Sequence, residues 1–104
     1  MNQSVFVGRL THDIELSKSQ SGVISTRFTL AVPRKGSKET TDFIPCVAFG
    51  KTAELIDQLT KKGSRIGVEG HWQSGKYTDK NNKDVYTLDC YVDYFQAYDY
   101  KEQN

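Results

Sequence analysis

The sequence lacks several features that would point to particular classes of protein. Its 104 residues contain no apolar run close to the ~20 residues that a membrane-spanning helix needs. The first residues lack the charged and then apolar pattern of a secretory signal. Only two cysteines are present, Cys46 and Cys90, and they have no C-x-x-C spacing. We therefore expect a soluble, cytoplasmic protein with no membrane partner, in which both cysteines are buried, reduced thiols rather than a disulfide.

Residues suited to catalysis or metal binding are also scarce. The two histidines, His12 and His71, fall on different predicted strands, and neither has a serine or cysteine nucleophile nearby in sequence. His71 and the two cysteines would supply three zinc ligands in principle, but no ligand spacing supports such a site. The glycine-containing turns lack the lysine of a phosphate-binding loop. We therefore expect no enzymatic activity, no metal and no cofactor.

The charge is nearly balanced overall but uneven along the chain. Residues 1–83 contain thirteen lysines and arginines against eight carboxylates, whereas residues 84–104 contain one lysine against five carboxylates. The net charge of +1 argues against binding a polyanion by charge alone, although cations gathered on one face can still attract one. Each lysine, taken singly, is better explained as a solvated surface residue.

Apolar periodicity predicts five strands and one helix within a single domain. The predicted strands cover residues 4–10, 23–32, 41–51, 64–76 and 85–95, and the helix covers residues 51–62. Residues 12–17 read as an extension of the first strand after a break, and residues 78–84 as a hairpin turn. This order, with bends expected at Gly8, Gly67 and Gly70, indicates an all-β OB-fold: a five-stranded Greek-key barrel with a helix between strands 3 and 4. We assign residues 1–100 to this domain and residues 101–104 to a short terminus.

The third predicted strand, TDFIPCVAFGK, has two apolar faces. Side chains alternate along a strand, so Phe43 and Phe49 share one face with Pro45 and Val47. The other face carries Ile44, Cys46 and Ala48. A small domain has only one core to fill, so one of these faces is free to contact something outside the chain. Two phenylalanines spaced along a strand suit a polyanion whose bases can stack on them.

Aromatic rings and cations also alternate along both predicted hairpins. Tyr77 ends the fourth strand and faces away from that strand's core residues. Bases can stack on such rings while phosphates meet the neighbouring ammonium and guanidinium groups. The candidate nucleic-acid-binding residues are Phe43, Phe49, Tyr77, Arg34, Lys35, Lys38, Lys51, Lys76, Lys80 and Lys83.

A colinear series of short motifs carries a family resemblance. The series includes Val7-Gly8-Arg9-Leu10-Thr11, Phe28-Thr29-Leu30-Ala31-Val32, Lys62-Gly63-Ser64, Gly67-Val68-Glu69-Gly70 and Lys76-Tyr77-Thr78-Asp79. In this order it resembles the bacterial-type single-stranded DNA-binding proteins over nearly the whole chain. The resemblance implies an OB-fold that assembles as a homotetramer and coats single-stranded DNA, without much sequence preference, in replication, recombination and repair.

The resemblance also bears on single residues. By position, Phe43, Phe49 and Tyr77 fall where the family stacks bases, whereas Gly36 falls where many members carry another aromatic residue. Gln73 and Gly75 stand where members often have arginine or other polar contacts. One stacking contact is therefore expected to be missing, and the grip of the fourth strand is expected to be weaker.

The C-terminus departs from the family pattern. The family usually continues into a flexible tail with an acidic, Pro-Phe-containing end, whereas this sequence stops at Asn104. Either the tail has been removed, or the chain is a short member such as a phage-encoded protein. In the second case, recruitment of replication or recombination proteins through such a tail is in doubt. Two alternatives stay open: an OB-fold subunit for protein interaction, and a binder of single-stranded RNA or tRNA.

Overall fold

The computed structural model describes residues 1–37 and 39–99, and this part of the chain contains six strands and one helix. Helix α1 (Gly50–Leu59) lies between the fourth and fifth strands. The strands are β1 (Ser4–Leu10), β2 (Ser17–Lys18), β3 (Ile24–Pro33), β4 (Thr41–Phe49), β5 (Arg65–Thr78) and β6 (Asp84–Ala97). Lys38 and the predicted terminus 101–104 lie outside the described residues.

The strands form one sheet in the order β1-β5-β6-β4-β3-β2, and β1 also pairs with β3. Five strands therefore close into a ring, while the two-residue β2 lies beside β3. The only parallel pairing within the described residues is the short contact between β4 and β6, at Cys46 with Cys90 and Val47 with Tyr91. This topology, with the helix before β5, confirms the predicted OB-fold class.

The chain between β1 and β3 differs from the prediction. Residues 12–17 were expected to extend β1, but the backbone bends after Leu10 and residues 13–16 form no strand. The Lys62 N–H donates to the Asp13 carboxylate at 2.7 Å, which holds this segment against the turn before β5. Ile14 is buried here, so the segment contributes to the core without pairing in the sheet.

Helix α1 is shorter than the predicted helix, which covered residues 51–62. It ends at Leu59 because Thr60 takes an extended backbone, and both its N–H and its hydroxyl donate to the carbonyl of Ile56. Lys61 and Lys62, which the predicted range included, therefore follow the helix. Ala53 and Ile56 are fully buried and close one end of the ring of strands. In the part of the chain that the structure describes, no helix is long and apolar enough to span a membrane.

The core lies inside the ring of strands and contains both cysteines, as predicted. Cys46 and Cys90 are free thiols with at most 1 % of their surface exposed. Burial raises the pKa of the Cys46 thiol to about 12, and the neighbouring Cys90 adds to this effect. The other buried residues of this core cluster are Leu10, Ile14, Phe28, Leu30, Ala48, Ala53, Ile56, Ile66, Val68 and Ala97.

A bulge in β6 changes which residues face outward. Glu69 pairs with Tyr94 and Gly70 pairs with Val92, so Asp93 is an extra residue in β6. Gly70 lies so close to β6 that an added Cβ would collide with the carbonyl oxygen of Tyr91. Gly70, where a bend was predicted, thus lies at a register shift between β5 and β6, and the outward face of β6 changes parity at this point.

The hairpin between β5 and β6 also forms as predicted, although both strands are longer. Each runs for 14 residues, and their far ends project beyond the core as an arm. The Asp79 carboxylate accepts from the N–H groups of Asn81 and Lys83, both at 2.9 Å. Asn82 takes a left-handed backbone with φ of 63°, which asparagine tolerates.

Candidate nucleic-acid interface

The three predicted stacking residues all present their rings to solvent. Phe43 on β4 is 64 % exposed, Phe49 at the end of β4 is 47 % exposed, and Tyr77 on the arm is 56 % exposed. Large apolar side chains at such exposures do not stabilise the core. Their position on the outside of the ring leaves them available to a ligand.

The two faces of β4 divide largely as predicted. Cys46 and Ala48 are buried, and Ile44 packs against the core. Val47 shares the outer face with Phe43 and Phe49, as predicted, but it is only 6 % exposed. Its neighbours on the adjacent strands cover it.

A salt bridge that crosses β4 explains the burial of Val47. Arg27 of β3 is the register partner of Val47, and it reaches Asp89 of β6 on the far side of β4 at 2.5 Å. The Asp89 side chain is 6 % exposed and the Arg27 side chain 64 % exposed. A guanidinium has five N–H donors, so Arg27 can neutralise Asp89 and still donate to a phosphate. The sequence prediction missed Arg27, although a lone arginine facing outward from an alternating strand was a usable signal.

A row of aromatic side chains continues from Phe49 across two further strands. The ring centroids of Phe49 and Tyr91 are 5.7 Å apart, and those of Tyr91 and His71 are 5.9 Å apart. These separations are typical of interacting rings. We call Phe49, Tyr91 and His71 the ring row. Neither Tyr91 nor His71 is among the binding residues predicted from the sequence, because sequence patterns do not reveal which strand lies beside β6.

Polar side chains hold the β5 end of the ring row in place. A hydrogen bond of 2.9 Å joins His71 Nδ1 and Asp93 Oδ2, and one of 2.8 Å joins His71 Nε2 and Gln73 Nε2. Asp93 is the extra residue of the β6 bulge. The bulge therefore places a carboxylate beside the imidazole and fixes its orientation.

A cleft lies beside Phe43 on the same outer surface. Ala31 is the register partner of both Phe43 and Arg9, so these three residues form a row across β4, β3 and β1. The cleft has a volume of about 500 Å³. It is lined by Val7, Gly8, Arg9, Ala31, Pro33, Thr41 and Arg65. Arg9 and Arg65 were not predicted from the sequence to line this cleft, because their places depend on the pairing of β1 with β3 and with β5.

Two of the predicted cations are held by carboxylates. Arg34 donates to both oxygens of Asp42, at 2.6 Å and 3.2 Å. This hydrogen bonding lowers the pKa of the Asp42 carboxyl. On the arm, the Lys76 ammonium lies 3.4 Å from Asp84. Both cations therefore carry less free charge than the sequence suggests.

The other predicted cations are exposed at the edges of the surface. Lys35 follows β3, Lys51 lies in the first turn of α1, and Lys80 and Lys83 occupy the arm turn. None of these four lies within 4 Å of a carboxylate among residues 1–37 and 39–99. Their charges are thus open to a phosphate, whereas Lys38 lies outside the described residues.

The suggested zinc ligands do not come together. Cys46 and Cys90 face the core, whereas His71 faces outward and bonds to Asp93 and Gln73. Within the described ranges, no three His, Cys, Asp or Glu side chains form a group that could hold a metal ion.

An OB-fold whose outer surface combines exposed rings with unpaired cations is typical of domains that bind single-stranded nucleic acid. The chain belongs to the single-strand binding protein family, whose family model matches residues 1–98.

Three bacterial proteins are similar to this chain over nearly all of its length. The single-stranded DNA-binding protein of Clostridium perfringens (strain 13 / Type A) is 44% identical over 95% of this chain and 67% of its own length. The protein of that name from Staphylococcus aureus (strain MRSA252) is 39% identical over the whole chain and 69% of its own length. Single-stranded DNA-binding protein 2 of Listeria monocytogenes serovar 1/2a is 38% identical over the whole chain and 68% of its own length.

Proposed function

We propose that this protein binds and coats single-stranded DNA, with little sequence preference, in replication, recombination and repair. Residues 1–100 act as one binding domain that catalyses no reaction, and the proposal places the protein in the cytoplasm. The observation that supports this best is the exposure of Phe43, Phe49 and Tyr77 on the outside of an OB-fold of the single-strand binding family. Every base has a π-face, so exposed rings bind single strands without reading their sequence.

The cations supply the second half of the proposed mechanism. Phosphates contact the unpaired ammonium groups of Lys35, Lys51, Lys80 and Lys83 at the edges of the surface. Arg34 and Lys76 contribute less, because each shares its charge with a carboxylate. Lys38, three residues after Lys35 in sequence, is proposed to contact a phosphate as well. Neutralising phosphates releases counterions, which makes the affinity fall as salt rises.

The test is a fluorescence anisotropy titration of labelled oligo-dT. Replacing Phe43, Phe49 or Tyr77 by Leu is expected to weaken binding, each by about 1–3 kcal/mol for one lost stacking contact. Leucine keeps apolar bulk and leaves the fold intact, which thermal unfolding can verify. Undiminished binding in all three variants, or an affinity that does not change with salt, would refute the proposal.

RNA is the alternative ligand of the same chemistry. Stacking and phosphate contacts serve either nucleic acid, and only contacts to the 2′-hydroxyl distinguish RNA from DNA. Competition of unlabelled oligo-rU against bound oligo-dT measures the preference. Stronger competition by oligo-rU than by oligo-dT would assign the interface to RNA.

A second exposed surface supports self-association. Val5, Val7, Tyr94 and Tyr98 are between 46% and 68% exposed, and they line a shallow cleft of about 150 Å³ on the outside of β1, β5 and β6. An apolar patch of this kind favours a protein partner. We propose that a second copy of this chain covers it, within the homotetramer that the family resemblance implies. Light scattering should then give four times the chain mass of 11.8 kDa. A monomer at micromolar concentration would contradict this and favour a different protein partner.

A further inference from the structure

The ring row is a feature that the predicted binding residues do not account for. Only Phe49 was predicted, yet Tyr91 and His71 continue the same aromatic surface across β6 and β5. Both residues are half-buried, with the His71 side chain 34% exposed. The side chains of Tyr91 and His71 lie on the outer surface of the sheet and are not part of the core cluster.

The row also points toward the third predicted stacking residue. Gln73, Gly75 and Tyr77 follow His71 at alternate positions along β5, so all four lie on one face of that strand. Tyr77 stands six residues beyond His71, which is about 20 Å along an extended strand. The ring row therefore begins a path that leads from β4, across β6, and along β5 to the arm.

Charges beside the row indicate which part of a nucleotide lies on it. The Asp93 carboxylate bonds to His71 and is 57% exposed, and it disfavours a phosphate at that place. On the other side of Tyr91, across Val47, the Arg27 guanidinium is largely exposed and, although it pairs with Asp89, it keeps N–H donors that can bind a phosphate. A single strand can satisfy both by laying its bases against the rings and its phosphates toward Arg27.

We propose that Tyr91 and His71 form a further base-contacting surface that joins Phe49 to Tyr77, with Arg27 contacting the phosphates beside it. The proposal rests on the proposed function and specifies the path of the DNA across the domain. The bulge at Asp93 and the hydrogen bonds to His71 hold the rings in position before the ligand arrives. The surface compensates in part for Gly36, which stands where the family resemblance leads us to expect another ring.

The test compares Tyr91→Leu with two matched variants in oligo-dT titrations. Tyr91→Leu is expected to weaken binding about tenfold, the effect of one lost stacking contact, with the salt dependence unchanged because no cation is lost. Tyr91→Phe keeps the ring and should bind like the native protein. Tyr86→Leu is the control, since Tyr86 is a 72% exposed tyrosine on the opposite face of the same strand.

A second measurement does not depend on any variant folding correctly. Oligo-dT carrying 5-iodouracil is cross-linked by light to the native protein, and the attached residues are identified by mass spectrometry. We expect cross-links at Tyr91 or His71 as well as at Phe49. Cross-links at Phe49 that spare the other two, or a folded Tyr91→Leu variant with native affinity, would overturn this inference alone. Failure of the native protein to bind oligo-dT would instead overturn the proposed function.

Discussion

At the scale of single residues, carboxylate partners decide how much positive charge the interface offers to DNA. Arg34 and Lys76 are both exposed, but Asp42 and Asp84 lie beside them and offset their charges. Arg34 is the clearer case, because both oxygens of Asp42 accept hydrogen bonds from its guanidinium. Asp42 is thus expected to limit the affinity for a polyanion.

Asp42→Asn should therefore strengthen the binding of single-stranded DNA. The change removes a negative charge from the surface and leaves Arg34 free to contact a phosphate. Affinity for oligo-dT is expected to rise several-fold at low salt, and the slope of log K against log salt should steepen by about 0.7 for one additional phosphate contact. Glu54→Gln on the helix changes the net charge equally and serves as the control. An equal gain in both variants would point to net charge rather than to Arg34.

The buried thiols make stability depend on pH in the alkaline range. Burial raises the pKa of Cys46 from 9.0 to about 12, so the unfolded chain loses this proton at lower pH than the folded chain. The unfolded state then binds fewer protons, and the free energy of unfolding falls as pH rises above about 9, by up to ~1.4 kcal/mol per pH unit for one thiol. Urea unfolding between pH 8 and pH 10 measures the slope. Cys46→Ala should flatten it, and an unchanged slope in that variant would contradict the assignment.

Sequence patterns could predict some residues of the interface and not others, for a definite reason. The exposure of Phe43, Phe49 and Tyr77 follows from alternation along their own strands. The places of Tyr91 and His71 depend on which strands lie side by side, and the pairing of β4 with β6 spans only two residue pairs. No local pattern encodes that contact, so the ring row was not predictable from the sequence.

At the scale of elements, the bulge in β6 separates two outward surfaces. Before Asp93, Asp89 and Tyr91 face the side of β4, whereas after it Tyr94 faces the side of β1. The close approach of Gly70 to the Tyr91 carbonyl lets β5 pair across this irregularity. A glycine in the pattern predicted a bend here, but a glycine alone does not specify which strand carries the extra residue.

Gly70→Ala should consequently destabilise the fold more than Gly67→Ala does. At Gly70 an added methyl group would collide with the backbone carbonyl of Tyr91 and lie 2.9 Å from Cys90 Sγ. Neither the backbone nor the buried thiol can move away at low energetic cost. At Gly67 the nearest atom is the hydroxyl oxygen of Tyr98 at 3.2 Å, the end of a side chain that can move. Overpacking of this kind typically costs about 1–3 kcal/mol. Thermal and urea unfolding of the two variants provide the comparison, and equal stabilities would contradict the role given to Gly70.

Local sequence patterns mispredicted two segments, the end of helix α1 and residues 12–17 after β1. The predicted helix runs to residue 62, but the extended backbone of Thr60 ends it at Leu59. The segment after β1 was predicted as strand from its apolar pattern. It instead contributes Ile14 to the core, because the contact between Asp13 and the Lys62 backbone turns the chain away from the sheet. The local apolar pattern encodes neither the extended backbone of Thr60 nor the contact between Asp13 and Lys62, which are distant in sequence.

At the scale of the whole molecule, the proposed DNA surface and the proposed assembly surface occupy different sides of the ring of strands. The first covers the outside of β3, β4, the first half of β6 and the arm end of β5, and the second covers β1, the start of β5 and the last part of β6. A strand of DNA could therefore cross several subunits while each subunit keeps its neighbours. Linked sites of this kind bind a long ligand more tightly than one site binds a short one.

Replacing Val5 and Tyr94 together by Gln, two residues that line only the assembly cleft, should thus weaken binding to long DNA only. Glutamine adds no charge, so the variant is expected to lose its subunit contacts without altering attraction to phosphates. Affinity for an oligo-dT of about 10 nucleotides, which fits one OB-fold, should stay unchanged. Affinity for one of about 60 nucleotides should fall by at least about a hundredfold as the linked sites are lost. Val23→Gln, at a valine that is 48 % exposed outside both surfaces, is the control for loss of an apolar side chain. If the double variant scatters light as a monomer yet binds the long oligonucleotide like the native protein, each subunit acts alone and assembly has no part in DNA affinity.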